Sequence, residues 1–150
     1  MNTDFIKGVV VPILTPIDEE EKIDEARLRD QVDYVIEGGV LGILAFGSNG
    51  EFYVVEEDEM ERGLKIMLDQ AAGRVPVYFG IGAIRTTKCC RLAKLAVEAG
   101  AAGISVLEPM LLSATEADLY NHCTTHTRVV PEQPTAVDPN QGPCGSPLRP

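Results

Sequence analysis

The sequence predicts an α/β protein built on a parallel sheet. Short, continuously apolar runs alternate with stretches of helical periodicity, and the centres of the runs, near residues 11, 43, 78, 105 and 136, recur every 27 to 35 residues. A strand covered by helices on both faces reads as an unbroken apolar run, and a crossover helix between two such strands leaves them parallel. Periodicity alone favours an open doubly wound sheet of about five strands in this length, because a (β/α)8 barrel takes about 250 residues.

Each element has its own local reason. Val9 to Leu14 is apolar throughout and stops at Thr15-Pro16. Asp24 can cap a helix that places Leu28, Val32, Val35 and Ile36 on one stripe, with Gly38-Gly39 as its stop. Val40 to Phe46 is the second strand, followed by an acidic helix from near Glu56 that carries Met60, Leu64, Met67 and Leu68 and ends at Gly73. Val75 to Gly80 is the third strand, with Pro76 near its start, where the ladder tolerates it. Thr86 or Thr87 can cap the next helix, bearing Leu92, Leu95, Ala96 and Ala99 and stopped by Gly100. Gly103 to Leu107 is the fourth strand. Thr115-Glu116-Ala117-Asp118 has the form of a capping box opening a helix to about Val130, and Thr135 to Val137 is a fifth-strand stub.

Composition divides the chain. Residues 1–130 have a globular mixture, whereas residues 131–150 hold six of the ten prolines and no aromatic residue. One globular unit followed by an irregular proline-rich tail is expected. The 13 basic and 23 acidic residues give a net charge of −10. With no basic cluster, that balance argues against a nucleic-acid partner. The acids at Asp18–Glu21 and Glu56–Glu61 read as solvated faces or helix N-terminal turns. No apolar run approaches the roughly 18 residues of a membrane span, and no signal-peptide pattern opens the chain. A cytoplasmic protein with free thiols is expected.

The most informative stretch is Gly47-Ser48-Asn49-Gly50-Glu51, between the second strand and its helix. Two glycines around two small polar residues allow a tight turn whose N–H groups can converge on a carboxylate or phosphate. An ordinary strand-to-helix connection is the plain alternative. His122, Cys123 and His126 share a helix, but no carboxylate completes a ligand set, so no metal is expected. Cys89 and Cys90 point about 100° apart on a helix and read as ordinary thiols. Gly80-Ile81-Gly82 lacks the third glycine of a dinucleotide site, because position 85 is Arg85.

Taken in order, Pro12-Ile13-Leu14-Thr15-Pro16, Gly47-Ser48-Asn49-Gly50-Glu51-Phe52 and Arg74-Val75-Pro76-Val77 leading to Gly80-Ile81-Gly82 resemble the dihydrodipicolinate synthase and N-acetylneuraminate lyase family. The resemblance covers residues 6 to about 125. It replaces the open sheet with a (β/α)8 TIM barrel, of which this chain holds about the first four βα units and a stub of strand five. It implies a class I aldolase that forms a Schiff base between a lysine and pyruvate or a related 2-oxo acid, needs no cofactor, and belongs to a commonly tetrameric family. It also implies that Gly47, Ser48, Asn49, Gly50 and Glu51 are substrate-binding, with Ser48 and Asn49 and their backbone N–H groups holding the keto-acid carboxylate.

Departures from the family pattern shape the expectation further. Asn49 stands where the synthases have a threonine in a proton relay, and the Gly47–Phe52 form is closer to the 4-hydroxy-2-oxoglutarate and sugar-acid aldolases. Pro109 is followed by Met110-Leu111-Leu112 in place of paired tyrosines, and Thr135 to Gly142 lacks the relay tyrosine. The Schiff-base lysine belongs to a sixth strand beyond this sequence. Lys7, Lys22, Lys65, Lys88 and Lys94 read as surface charges. No catalytic residue is therefore assigned, and an inactive fragment is expected. The alternative is a non-catalytic half-barrel that self-associates or pairs with a full-length relative.

Overall fold

The computed structural model describes residues 8–109 and 115–137. Lys7, the Met110-Leu111-Leu112 segment, Cys144 and residues 138–150 lie outside them. The strands are β1 (Val10–Pro12), β2 (Gly42–Ala45), β3 (Val77–Gly80), β4 (Gly103–Val106) and β5 (Thr135–Val137). The helices between them are α1 (Glu25–Glu37), α2 (Glu57–Ala71), α3 (Thr86–Ala99) and α4 (Glu116–Val129), and a 3-10 turn at Phe52–Val54 precedes α2. The sheet order is β1-β2-β3-β4-β5 and every pairing is parallel. A sequential order with a helix after each strand is that of a TIM barrel, and the doubly wound order suggested by periodicity is not formed. The strands are shorter than their apolar runs, which supply loop residues at both ends.

Register sorts the side chains into two faces. Ile43 is level with Val77, Ala45 with Phe79, and Phe79 with Ile104. This row is buried in one cluster with Leu28 and Val32 of α1, Met60, Leu64 and Met67 of α2, and Leu92 and Ala96 of α3. Burying each large aliphatic chain stabilises the fold by about 1.5–3 kcal/mol relative to exposure. On the other face Val10, Leu44, Tyr78, Ser105 and Ala136 line an open apolar groove.

Most helix ends follow their sequence signals. The Asp24 side chain accepts from the Arg27 N–H, Gly38 and Gly100 cap α1 and α3, and both bonds of the Thr115–Asp118 capping box form. The α3 start is a correction: Arg85 is its N-cap with no side-chain hydrogen bond, and Thr86 is already helical. The Thr86 hydroxyl instead lies 3.0 Å from His122 Nδ1 on α4. The acids near Glu56 also do more than face solvent. Glu59 accepts from the Ile23 N–H at 2.9 Å, and Glu57 pairs with Arg91 at 2.7 Å, tying α2 to the loop before α1 and to α3.

Phe46, the residue after β2, is fully buried in the left-handed region at φ 53°. Its ring meets Phe79 edge to face at 5.6 Å. Gly80 lies so close that a Cβ there would sit 2.2 Å from the Phe46 carbonyl oxygen, and a Cβ at Gly63 would sit 2.7 Å from the Phe46 ring. A Gly80→Ala substitution should therefore destabilise the chain by about 1–3 kcal/mol, the usual cost of overpacking a filled core. Denaturant unfolding of the two chains measures it, and a difference below about 0.5 kcal/mol would mean that the Phe46 backbone moves aside freely.

Candidate functional site

The parallel strands all end on one edge, and the segment after β2 turns there. Gly50 N–H donates to the Gly47 carbonyl at 3.0 Å and Glu51 N–H to the Ser48 carbonyl at 3.1 Å. Those two donors are committed to the turn itself. Ser48 is half-buried and Asn49 exposed at the apex. The glycines also act differently from expectation. Neither Gly47 nor Gly50 is left-handed; the residues flanking them are, Phe46 at φ 53° and Glu51 at φ 51°. What Gly50 supplies is room: a Cβ there would lie 3.0 Å from the Ile13 carbonyl oxygen and 3.2 Å from Thr15 Oγ1.

Left-handed backbone at a non-glycine residue costs of order 1–3 kcal/mol, and such residues cluster at binding and active sites. Two of the four such residues among those described flank this one turn. The surrounding core holds them: Phe46 is enclosed by Phe79, Gly63 and Gly80, and Phe52, one residue beyond Glu51, is buried. Thr15, in the loop after β1, donates its hydroxyl to the Gly50 carbonyl at 2.7 Å. The sequence marks Thr15 as a strand end and as part of the Pro12–Pro16 motif, without assigning this contact. Its available signal was the Thr15-Pro16 pair, since proline holds the preceding residue extended.

None of Lys22, Lys65, Lys88 and Lys94 is buried. Lys65 pairs with Glu61 at 2.5 Å and Lys88 with Glu57 at 3.8 Å. None therefore has the desolvated setting that an amine nucleophile needs.

The structure gathers the buried His122 and Cys89 with the half-buried Thr86 into a cluster. His122 Nδ1 faces the Thr86 hydroxyl at 3.0 Å, and its Nε2 lies 3.6 Å from Cys89 Sγ. Cys89 also donates to the Ala83 carbonyl at 3.4 Å, and burial pushes its thiol up to about 12. Such a thiol stays protonated and inert. The His122 ring is thus engaged with α3, and among the described residues no group of three or more His, Cys, Asp or Glu could hold a metal ion. His126 Nδ1 is 3.0 Å from the His122 carbonyl, which can only accept. Nδ1 therefore carries the proton, and the buried Nε2 has no hydrogen-bond partner among the described residues.

Comparison with known proteins fits the parallel βα architecture. A model of the Dihydrodipicolinate synthetase family matches residues 5–136. The 4-hydroxy-tetrahydrodipicolinate synthase of Thermus thermophilus is 34% identical over 146 residues, covering 97% of this chain and 48% of that protein. The synthase of Syntrophus aciditrophicus is 39% identical over 127 residues, covering 85% of this chain and 43% of its own. Among solved structures, YagE, an Escherichia coli K12 prophage protein of the dihydrodipicolinic acid synthase family in complex with pyruvate, superposes with a TM-score of 0.83 at 27% identity, covering 88% of this chain and 44% of its own. N-acetylneuraminate lyase from Mycoplasma synoviae gives 0.82 at 26% identity, covering 91% and 47%.

The fold is that of the first βα units of a TIM barrel. The chain belongs to the dihydrodipicolinate synthetase family, and it spans about half the length of the curated relatives it matches. Among the described residues no helix is long and apolar enough to cross a membrane.

The buried histidines set a pH dependence. Burial is the main cause holding His122 and His126 below the ordinary histidine value of 6.5. The fold thus favours their neutral forms, whereas the unfolded chain takes up protons as the pH falls through about 6.5. Stability should therefore rise with pH across that range and fall on acidification. Hydrogen exchange should show α4 amides losing protection before those of α1 between pH 7 and 5, and His126→Met should flatten the response. Equal loss in α1 and α4 would count against the histidines as its source.

Proposed function

We propose that residues 8–109 carry the carboxylate-binding part of a class I aldolase site for pyruvate or a related 2-oxo acid. The observation that carries the proposal is the Gly47–Gly50 turn, held between two left-handed residues at the carboxyl end of β2. Family membership and a solved relative in complex with pyruvate support the ligand class. The donors are the Ser48 and Asn49 backbone and the Ser48 hydroxyl, fixed before the ligand arrives so that binding spends little on ordering them. Gly47 and Gly50 shape the turn, and Glu51 leads the chain out of it. Asn49 offers an amide where a proton relay uses a hydroxyl, which favours binding over proton transfer at this position.

The covalent step is assigned outside the described residues. A Schiff-base lysine must be desolvated, and none of the four described lysines is buried. On this reading the turn binds, and none of the four described lysines is assigned the attack. A second reading is association: β1 and β5 are the sheet edges and the Leu44–Tyr78 face is open, which favours a half-barrel that pairs with itself or with a full-length relative. Sedimentation separates a defined dimer from a monomer.

Pyruvate titrated into the labelled 150-residue chain should shift the Ser48 and Asn49 amide resonances first. Ser48→Ala should weaken binding about tenfold, the loss of one hydrogen bond to a charged group at about 1.5 kcal/mol. Borohydride added with pyruvate should leave the intact mass unchanged. A trapped adduct on any lysine would overturn the assignment of the covalent step, and an unperturbed turn would overturn the cradle.

A further inference from the structure

The loop after β1 touches the candidate site through one side chain. Thr15 Oγ1 donates to the Gly50 carbonyl at 2.7 Å, a half-buried bond across 35 residues of sequence. Resting on the reading of the turn as a carboxylate cradle, we propose that Thr15 is the positioning residue that sets the orientation of Ser48 and Asn49.

Three observations converge on this. First, the bonds inside the turn, Gly50 to Gly47 and Glu51 to Ser48, shape it but do not orient it against the sheet. The Thr15 bond does, because it joins the turn's last peptide to a neighbouring unit. Second, the contact is close-packed: a Cβ at Gly50 would lie 3.0 Å from the Ile13 carbonyl oxygen and 3.2 Å from Thr15 Oγ1. The turn thus sits directly on the residues that deliver the hydroxyl. Third, Thr15 is itself fixed. Pro16 restrains its backbone, and branching at Cβ restrains its χ1. The loop beyond is anchored by Asp24 N–H to the Pro16 carbonyl at 2.9 Å, an Ile17–Ile23 bridge and the Glu59 carboxylate on the Ile23 N–H.

Releasing the Gly50 carbonyl frees the Gly50–Glu51 peptide to rotate at the left-handed Glu51. That rotation displaces the turn without removing any group that touches the ligand. Thr15 acts through the turn and is not a catalytic residue.

The test compares the 150-residue chain with its Thr15→Val and Thr15→Ser variants, Val keeping the shape and Ser keeping the hydroxyl. Pyruvate affinity is read from amide shifts, amide exchange at Ser48 to Glu51 without ligand, and the thermal midpoint for the whole chain. The expected result is a Kd raised about 3- to 10-fold by Thr15→Val, the loss of one ordinary hydrogen bond, with faster exchange confined to the turn. Thr15→Ser should restore most of both. Undiminished affinity in Thr15→Val while the parent binds would overturn the positioning role and leave the cradle standing. No binding by the parent chain would overturn the cradle, and the role with it. A Thr15→Val chain that does not fold, or a midpoint lowered equally by the Ser variant, would make Thr15 a structural residue and also overturn the role.

Discussion

The site depends on one backbone reversal. Phe46 ends β2 in the left-handed region, where a bulky residue is a genuine outlier, and it stays there because its surroundings leave no alternative. Phe79 meets its ring, while Gly63 on α2 and Gly80 at the end of β3 provide the room that any side chain would remove. An extended Phe46 would continue the strand and send its ring to the opposite face. The left-handed one buries the ring on the helix side and throws the next residues across the strand ends. The core of the second and third units thus aims the polar turn, and the energy that holds the strain comes from apolar burial.

A second set of contacts fixes the side of the turn that faces β1. Thr15 reaches the Gly50 carbonyl, and Glu59, which belongs to α2, reaches back to the Ile23 N–H. Arg62 on the next turn of the helix donates to the Ile23 carbonyl and pairs with Glu59 at 3.2 Å, so both backbone groups of Ile23 are held. Isolated surface ion pairs contribute little, but a carboxylate and a guanidinium closing on the same residue restrict the loop further. The acids ahead of α2 therefore serve two purposes: they suit the helix N-terminus, and they hold the loop carrying Thr15.

Much of this was legible in the sequence, for definite reasons. The βα alternation, the Asp24 cap, the Gly38 and Gly100 stops and the Thr115–Asp118 box are local signals, each fixed by residues within a turn or two of the effect. The barrel-like sheet order was not legible from periodicity, because equal strand spacing suits an open or a closed parallel sheet; ordered motifs decided it. The turn was legible as a turn, but its mechanism was not. Glycines at 47 and 50 suggested backbone freedom, whereas the left-handed residues are Phe46 and Glu51, whose conformations are imposed by contacts with residues far along the chain. The Thr15–Gly50, Thr86–His122 and Glu59–Ile23 contacts have the same character: 35 or 36 residues separate the partners, about one βα unit. Side chains that link successive units leave no mark within a local window.

That one-unit spacing bears on what this length of chain can do. In a sequential parallel sheet each strand pairs with its predecessor and successor, so supports for a feature after β2 come from β1, β3 and their helices. The Thr15 hydroxyl, the Ile13 carbonyl, the Phe79 ring, Gly63 and Gly80, which all belong to the first three units, help to shape the turn. Covalent chemistry on a 2-oxo acid is different: it needs an amine desolvated in the barrel interior, facing the bound carboxylate, and so depends on strands being brought around the axis. On the proposed reading, support for the turn comes from neighbouring units, whereas attack on a bound 2-oxo acid draws on the closed barrel.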